Sequence, residues 1–274
     1  MLRIASHNVN GIRATHQRGW VPWVNARGID VIGLQEVRAT PNQYPDGVFD
    51  GWDVHVDTGE MKGRNGVALL SKTPVAASRT GIGLEEFAGD GRYVEIDLAD
   101  YPLTIASLYL PKGDVPDGES EAKQAKYDRK FRFLARLAAL LAEKADEAAN
   151  GGREFLIIGD FNIARSELDI KNWKGNLNSE GFLPEERQWF ADMLETTGLV
   201  DIVRTMHPDQ PGPYSWWSWR GQAFANDAGW RIDYHLATPG LAATAVTSGV
   251  DREPSRDERL SDHAPVVVDY DFPA

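Results

Sequence analysis

The chain contains no cysteine among its 274 residues. That absence excludes a disulfide framework, a thiol nucleophile, a thiolate zinc site and an iron–sulfur cluster. It also suits a reducing compartment. Long hydrophobic runs are missing as well. The longest, such as Leu137 to Ala142, fall far short of the roughly 20 residues that span a bilayer. Met1-Leu2-Arg3-Ile4-Ala5 shows no basic region leading into a long apolar one, so no secretory signal is predicted and the expectation is a soluble, cytoplasmic protein with no membrane partner. Positive charge is scarce: 29 Lys and Arg stand against 41 Asp and Glu, a net charge of −12. This balance argues against a protein that coats nucleic acid or anionic membrane through its overall charge, but leaves room for a local basic patch. No low-complexity tract or long linker interrupts the chain, which predicts one domain over residues 1–274.

What is present is a series of short β-rich runs with helical patterns between them. Ile29 to Leu34 and Phe155 to Gly159 are apolar runs of strand length, each leading to a carboxylate, Glu36 or Asp160. Gly66 to Leu70, Leu103 to Leu110, Arg231 to Leu236 and Pro265 to Asp269 read the same way. Apolar residues on consecutive positions predict strands covered on both faces, as in layered α/β proteins. A helix is predicted from Glu121 to Ala149, with Tyr127, Phe131, Leu134, Ala138, Leu141 and Ala145 as its apolar stripe and Asn150-Gly151-Gly152 as its stop. Its Lys123, Lys126, Arg129, Lys130, Arg132 and Arg136 suggest DNA binding, but interspersed Glu and Asp favour a solvated outer face. A second helix is predicted to begin at Pro184-Glu185-Glu186, because proline and acidic residues suit a first turn.

Four segments close predicted strands with polar groups that have no packing value. They are Ser6-His7-Asn8-Val9-Asn10-Gly11, Leu34-Gln35-Glu36, Gly159-Asp160-Phe161-Asn162 and Ser261-Asp262-His263-Ala264-Pro265. Strand ends and their loops form ligand clefts in layered α/β proteins. Gathered in one cleft, these residues supply carboxylates, carboxamides and an imidazole. That inventory holds a hard divalent cation through oxygen and activates water beside a phosphate. Each has a structural alternative: a capping or ion-paired Glu36, an Asx turn at Asp160 and Asn162, a structural His263.

In combination the motifs resemble the exonuclease III family of abasic-site endonucleases, within the endonuclease/exonuclease/phosphatase superfamily. The resemblance rests on Asn8-Val9-Asn10-Gly11-Ile12-Arg13-Ala14, Leu34-Gln35-Glu36-Val37, Tyr109-Leu110-Pro111, Gly159-Asp160-Phe161-Asn162-Ile163-Ala164, Trp230-Arg231-Ile232-Asp233-Tyr234 and Ser261-Asp262-His263-Ala264-Pro265. Ile170 to Asn176, Gly181 to Arg187 and Tyr214-Ser215-Trp216 are similar to the nuclease branch rather than to lipid-phosphate or sphingomyelin-cleaving relatives. The resemblance implies a four-layer α/β sandwich, with two packed mixed β-sheets flanked by helices. It implies a monomeric, magnesium-dependent phosphodiesterase, manganese substituting, that cuts double-stranded DNA 5′ to abasic sites and trims 3′ ends. Glu36 is then the principal metal ligand, with Asp262 and Asn10 near the ion. Asp160 and Asn162, also close to it, activate and position the attacking water, while Asn8 orients Asp160. His263, paired with Asp233, and Tyr109 contact the scissile phosphate.

Tyr214 to Arg220 packs four aromatics into seven residues, for which an alternating core strand is the structural alternative. The resemblance places Trp216 at a pocket for an extrahelical abasic sugar and Phe224 on a loop against the DNA groove, as an apolar wedge or a surface-packed ring. Arg13, Arg64, Asn65, Arg92 and Lys112 are the expected backbone contacts, with glycines beside Arg64 and Asn65 permitting close approach. Arg64 stands where relatives often carry an aromatic and Lys112 where they often carry an amide. Two alternatives remain: a relative acting on RNA, inositol phosphate or lipid, and a catalytically silent nucleic-acid-binding protein. The Trp216 segment speaks against the first. The full set of Glu36, Asp160, Asn162, Asp233, Asp262 and His263 speaks against the second.

Overall fold

The computed structural model describes residues 1–274, and its strands form two six-stranded mixed sheets. In chain order the elements of the first half are β1 (Leu2–Asn8), α1 (Ile12–Gln17), α2 (Trp20–Arg27), β2 (Val31–Gln35), β3 (Asp53–Asp57), β4 (Val67–Ser71), β5 (Val75–Thr80), β6 (Tyr93–Leu98) and β7 (Leu103–Tyr109). There follow α3 (Glu121–Ala149), β8 (Glu154–Asp160), α4 (Pro184–Thr197), β9 (Val200–Asp201), α5 (Ile202–Met206), β10 (Asp233–Ala237), α6 (Pro239–Ala242), β11 (Ala245–Val250) and β12 (Val266–Tyr270). One sheet runs β11-β12-β1-β2-β4-β3 and the other β5-β6-β7-β8-β10-β9. Each has a single parallel pair at its centre, β1 with β2 and β7 with β8.

The doubly apolar runs explain the layering. Along β8, Phe155 and Ile157 join the core under α3 and α4, while Leu156 and Ile158 join the core between the sheets. Along β2, Val31 faces the other sheet, and Ile32 and Leu34 face α1 and α2. Successive side chains leave a strand on opposite faces, so a strand with both faces covered has no polar position to spare. The layers are therefore helix, sheet, sheet, helix. Gly33 marks the closest approach of the two sheets: a Cβ there would lie 2.8 Å from Ile158 Cδ1. Beside it, Gln35 Nε2 donates to Ser107 Oγ at 2.9 Å, a buried polar link from β2 to β7.

The helix α3 has the predicted bounds but a different inward face. Its buried residues are Lys130, Phe133, Leu134, Leu137, Leu140 and Leu141, so the expected stripe shares only Leu134 and Leu141 with the observed one. The larger side chains Phe133, Leu137 and Leu140 win the sheet-facing side over Ala138 and Ala145, because burial free energy scales with apolar area. Tyr127 and Phe131 lie half-buried at the margin, their ring centroids 4.5 Å apart. The basic series is a partnered outer face: Lys123 pairs with Asp117, Lys126 with Asp114, Arg129 with Asp90, Arg132 with Glu86 and Arg136 with Glu143. Lys130 is the exception, with a side chain only 1% exposed. Tyr214 to Arg220 is not a strand. Trp216 makes isolated bridges to Trp230 and His263, and Trp217 packs into a small core with Tyr214, Phe224 and Ala264.

Candidate active site

Both central parallel pairs end at the same edge of the sandwich. Register places Asn8 opposite Gln35 in one sheet, and Asp160 opposite both Tyr109 and Asp233 in the other. The ladders run on one step past these ends, Val9 N–H donating to Gln35 O at 3.0 Å and Leu110 N–H to Asp160 O at 2.8 Å, and the polar side chains collect there. Gly159, at φ 136°, lets β8 turn its last residue inward; a Cβ there would lie 2.1 Å from Leu108 O. Asn10, Glu36, Arg38 and Asn162 all hold left-handed backbone with φ between 45° and 51°, four of the six non-glycine residues in the chain that do. Such conformations cost free energy and persist where surrounding structure dictates them, which marks this edge as functional.

Asn8 is the centre of the arrangement. Its Nδ2 donates to Glu36 Oε1 at 2.9 Å and to Asp160 Oδ2 at 2.8 Å, while its Oδ1 accepts the Asn10 N–H at 3.0 Å. One carboxamide thus joins a carboxylate from each sheet. Asp160 Oδ1 also accepts the Asn162 N–H at 2.8 Å, the Asx turn that the local sequence allowed. Asn162 Nδ2 donates to Leu110 O at 2.9 Å. Burial raises the Asp160 carboxyl to about 7; His263 opposes that rise, and the Asp233 and Glu36 carboxylates reinforce it.

On the facing side, His263 Nδ1 lies 2.8 Å from Asp233 Oδ2, and Nε2 lies 3.8 Å from Asp160 Oδ2. Burial alone would lower the imidazole. The Asp233, Asp160 and Asp262 carboxylates override it and raise its pKa to about 10, so the ring is a doubly protonated donor at neutral pH. Ser215 Oγ donates to Asp233 Oδ2 at 2.6 Å and fixes that carboxylate. Ligand atoms of Glu36, Asp160 and His263 all lie within 4.8 Å of one another. The two carboxylates supply oxygen donors of the kind that hard cations such as magnesium or manganese take. Asp262 and Asn10 sit just outside that trio: Asn10 Nδ2 donates to Asp262 Oδ1 at 2.7 Å, and Trp216 Nε1 to Asp262 Oδ2 at 3.2 Å.

These groups border a cleft of about 540 Å³, whose apolar lining includes Trp216, Trp230 and Ile232. Tyr109 and Lys112 line it too. The Tyr109 phenol is held well above its ordinary pKa, first by burial and then by the Glu36 and Asp160 charges, and so stays a proton donor. Lys112 reaches Glu180 at 3.0 Å from a side chain 67% exposed. Arg13 and Arg64 are exposed, and Asn65 Nδ2 donates to Asp90 O at 2.9 Å.

Two of the expected DNA contacts are placed otherwise. Arg92 turns inward: its Nε bonds Asp90 at 2.9 Å, its Nη1 bonds Tyr109 O at 3.1 Å, and its guanidinium lies 5.0 Å from the Tyr109 ring centroid. It braces Tyr109 rather than standing open to a phosphate. Phe224 is 3% exposed, edge-on to Trp217 with centroids 5.3 Å apart and covered by Arg252 and Arg259 at 4.2 and 4.7 Å. A ring so enclosed has no free face here with which to wedge a base step, and it is buried rather than packed on the surface. Two residues of the site were not expected from sequence. Arg38 pairs with Glu36, and Ser215 anchors Asp233. Both lay beside recognised motifs, Arg38 two residues past Glu36 and Ser215 inside the aromatic segment.

The comparisons with known proteins agree with this geometry. Residues 5–263 match the Endonuclease/Exonuclease/phosphatase family. The chain is 32% identical to an exodeoxyribonuclease III from Haemophilus influenzae, over 98% of this chain and 100% of that one. An AP endonuclease structure from Archaeoglobus fulgidus superposes with a TM-score of 0.85 at 29% identity, covering 99% and 100% of the two chains. A 3′ phosphatase from Neisseria, bound to product DNA hairpin, does so at 0.84 and 27% over the same shares. The chain therefore belongs to the Endonuclease/Exonuclease/phosphatase family, among the exodeoxyribonuclease III and AP endonuclease relatives.

Proposed function

We propose that the chain is a divalent-metal-dependent DNA repair phosphodiesterase that cuts the backbone 5′ to abasic sites and trims 3′ ends. The observation that carries this reading is the Asn8 carboxamide joining Glu36 and Asp160 across the two sheets, face to face with the Asp233–His263 pair. That arrangement brings a proton acceptor and a cationic donor to one edge of the cleft, His263 Nε2 lying 3.8 Å from Asp160 Oδ2, which supports a phosphate bound beside them. The aromatic wall of Trp216 and Trp230 supports an abasic sugar as occupant, because a flipped sugar without its base presents an apolar face to it.

Glu36 and Asp160, with Asn162, Asp262 and Asn10 around them, would hold magnesium or manganese. When bound, that ion supplies positive charge against the phosphate oxygens. Asp160 takes the proton of the attacking water, whose oxygen is oriented by the Asn162 carboxamide. Imidazolium His263, kept charged by Asp233, and phenolic Tyr109 donate to the non-bridging oxygens as negative charge builds on them. The water oxygen bonds to phosphorus as the bond from phosphorus to the leaving oxygen breaks, and the leaving oxygen takes up a proton from solvent while Asp160 returns its own to solvent. Arg13, Arg64, Asn65 and Lys112 supply contacts to the flanking backbone. No helix is long and apolar enough to cross a membrane. We read residues 1–274 as one catalytic domain acting as a cytoplasmic monomer.

The test is cleavage of a tetrahydrofuran-containing duplex against a recessed 3′ end, with magnesium and after chelation. Incision 5′ to the lesion that vanishes with chelator and returns with magnesium is the expected result. Cleavage of RNA or of inositol phosphate in preference to both DNA substrates would replace this reading.

A further inference from the structure

Lys130 lies beneath the cleft on α3 and touches none of the groups assigned above through their side chains. Its ammonium donates to Glu186 Oε1 at 2.5 Å, to Lys112 O at 3.0 Å and to Asn162 O at 3.3 Å. Three donors meet three oxygens, the full complement of an ammonium group. Glu186 sends its second oxygen to the Leu183 N–H at 3.0 Å, just past the Ser179–Gly181 wall of the cleft. One buried ion pair therefore ties down three segments: the loop after β7, the end of β8 and the entry to α4. The chain closes tightly on the lysine stem at Gly113, where φ is 79° and a Cβ would lie 2.7 Å from Lys130 Cδ.

Stability does not account for this pair. Taking two charges out of water costs about as much as their attraction returns, and well-packed apolar side chains of similar volume hold a fold as well or better. What apolar side chains cannot do is direct two backbone carbonyls and an amide at once. Asn162, with φ 48°, is held by Asp160 through its N–H and by Leu110 O through its side chain, and Lys130 is the group that fixes its carbonyl.

We infer that Lys130, with Glu186, is a positioning residue for phosphodiester hydrolysis, fixing Asn162 and the Lys112 loop at the cleft edge. The inference rests on the proposed role of Asn162. The test is the double variant Lys130→Met with Glu186→Leu, which removes both charges and leaves neither unpaired. Its melting temperature is expected to equal or exceed that of the parent. On the abasic duplex kcat should fall by about tenfold to a hundredfold, as misplacement by a fraction of an ångström costs, with KM altered far less. In the metal-free protein, the Asn162 side-chain amide resonances should broaden and lose order, beyond the small shift that loss of the nearby charge alone produces. Asn162→Ala serves as reference. If it is inactive while the double variant keeps parental kcat and unmoved Asn162 resonances, the inference fails alone. If Asn162→Ala itself keeps parental kcat, the role of Asn162 fails and takes the inference with it.

Discussion

Asp160 accepts the Asn162 amide in an Asx turn and the Asn8 carboxamide through its other oxygen. The turn aims the carboxylate, so the Asx-turn reading of Asp160-Phe161-Asn162 is compatible with the chemical role proposed for it. Asp160→Asn keeps the side-chain shape but removes the charge and the proton acceptor. His263→Ala removes the cationic donor. Each is expected to lower single-turnover cleavage of a metal-loaded abasic duplex by about 10²- to 10⁴-fold with the melting temperature largely retained. Parental turnover by Asp160→Asn would sink the assignment of the base. The types and order of the polar residues at the strand ends were legible in the sequence, because they stand in short contiguous motifs. Their partners were less so. That Trp216 bonds Asp262, or Ser215 bonds Asp233, depends on loops that meet only after folding.

At the scale of elements, the strands declare themselves because a buried β-strand leaves a local trace: consecutive apolar residues of strand length. Their spacing does not. Gly33 exists because β2 and β8 pass so close that no side chain fits between them. Gly33→Ala is expected to destabilise by about 1–3 kcal/mol in urea unfolding, the cost of overpacking. Ile158→Val in the same chain should recover part of that loss, since Ile158 Cδ1 is the atom met first. Full additivity of the two changes would show that the sheets do not clash there. The helix α3 was legible in extent, through its apolar spacing and the Asn150-Gly151-Gly152 stop behind it, but not in rotation. A stripe of apolar letters at three- and four-residue spacing fits several faces of a 29-residue helix. The packed sheet chooses the face with the larger side chains, and Lys130 follows it into the interior.

Across the whole molecule the net charge of −12 meets a polyanionic substrate, so attraction has to be local. Binding of the abasic duplex, followed by fluorescence anisotropy, is expected to weaken steadily as salt rises, with a slope of about 0.9 per neutralised phosphate. Arg64→Ala should reduce that slope by about one unit, and an unchanged slope would remove Arg64 from the contact surface. Buried histidines set a second global property. Burial lowers His7 and His235 from 6.5 to about 3, so both are neutral in the folded protein and take up protons on unfolding in mild acid. Their contribution is present above pH 6.5 and is lost as pH falls from 6.5 toward 3, each with a slope approaching about 1.4 kcal/mol per pH unit. Urea unfolding at pH 7, 6 and 5 should show this decline, and His235→Phe should make it shallower; stability flat across that window would contradict it.

The amino-acid sequence by itself determined the layered α/β class, the strand-terminal motifs and the family resemblance that implies phosphodiester chemistry. All three are local in the chain and need only residue type and order. Only the tertiary structure decided which face of α3 is buried, that Phe224 and Arg92 are internal supports, and that Lys130 sits beneath Asn162. Those outcomes depend on contacts between segments far apart in the chain, where packing volume and the pairing of buried charge overrule any pattern that a short stretch of sequence can hold.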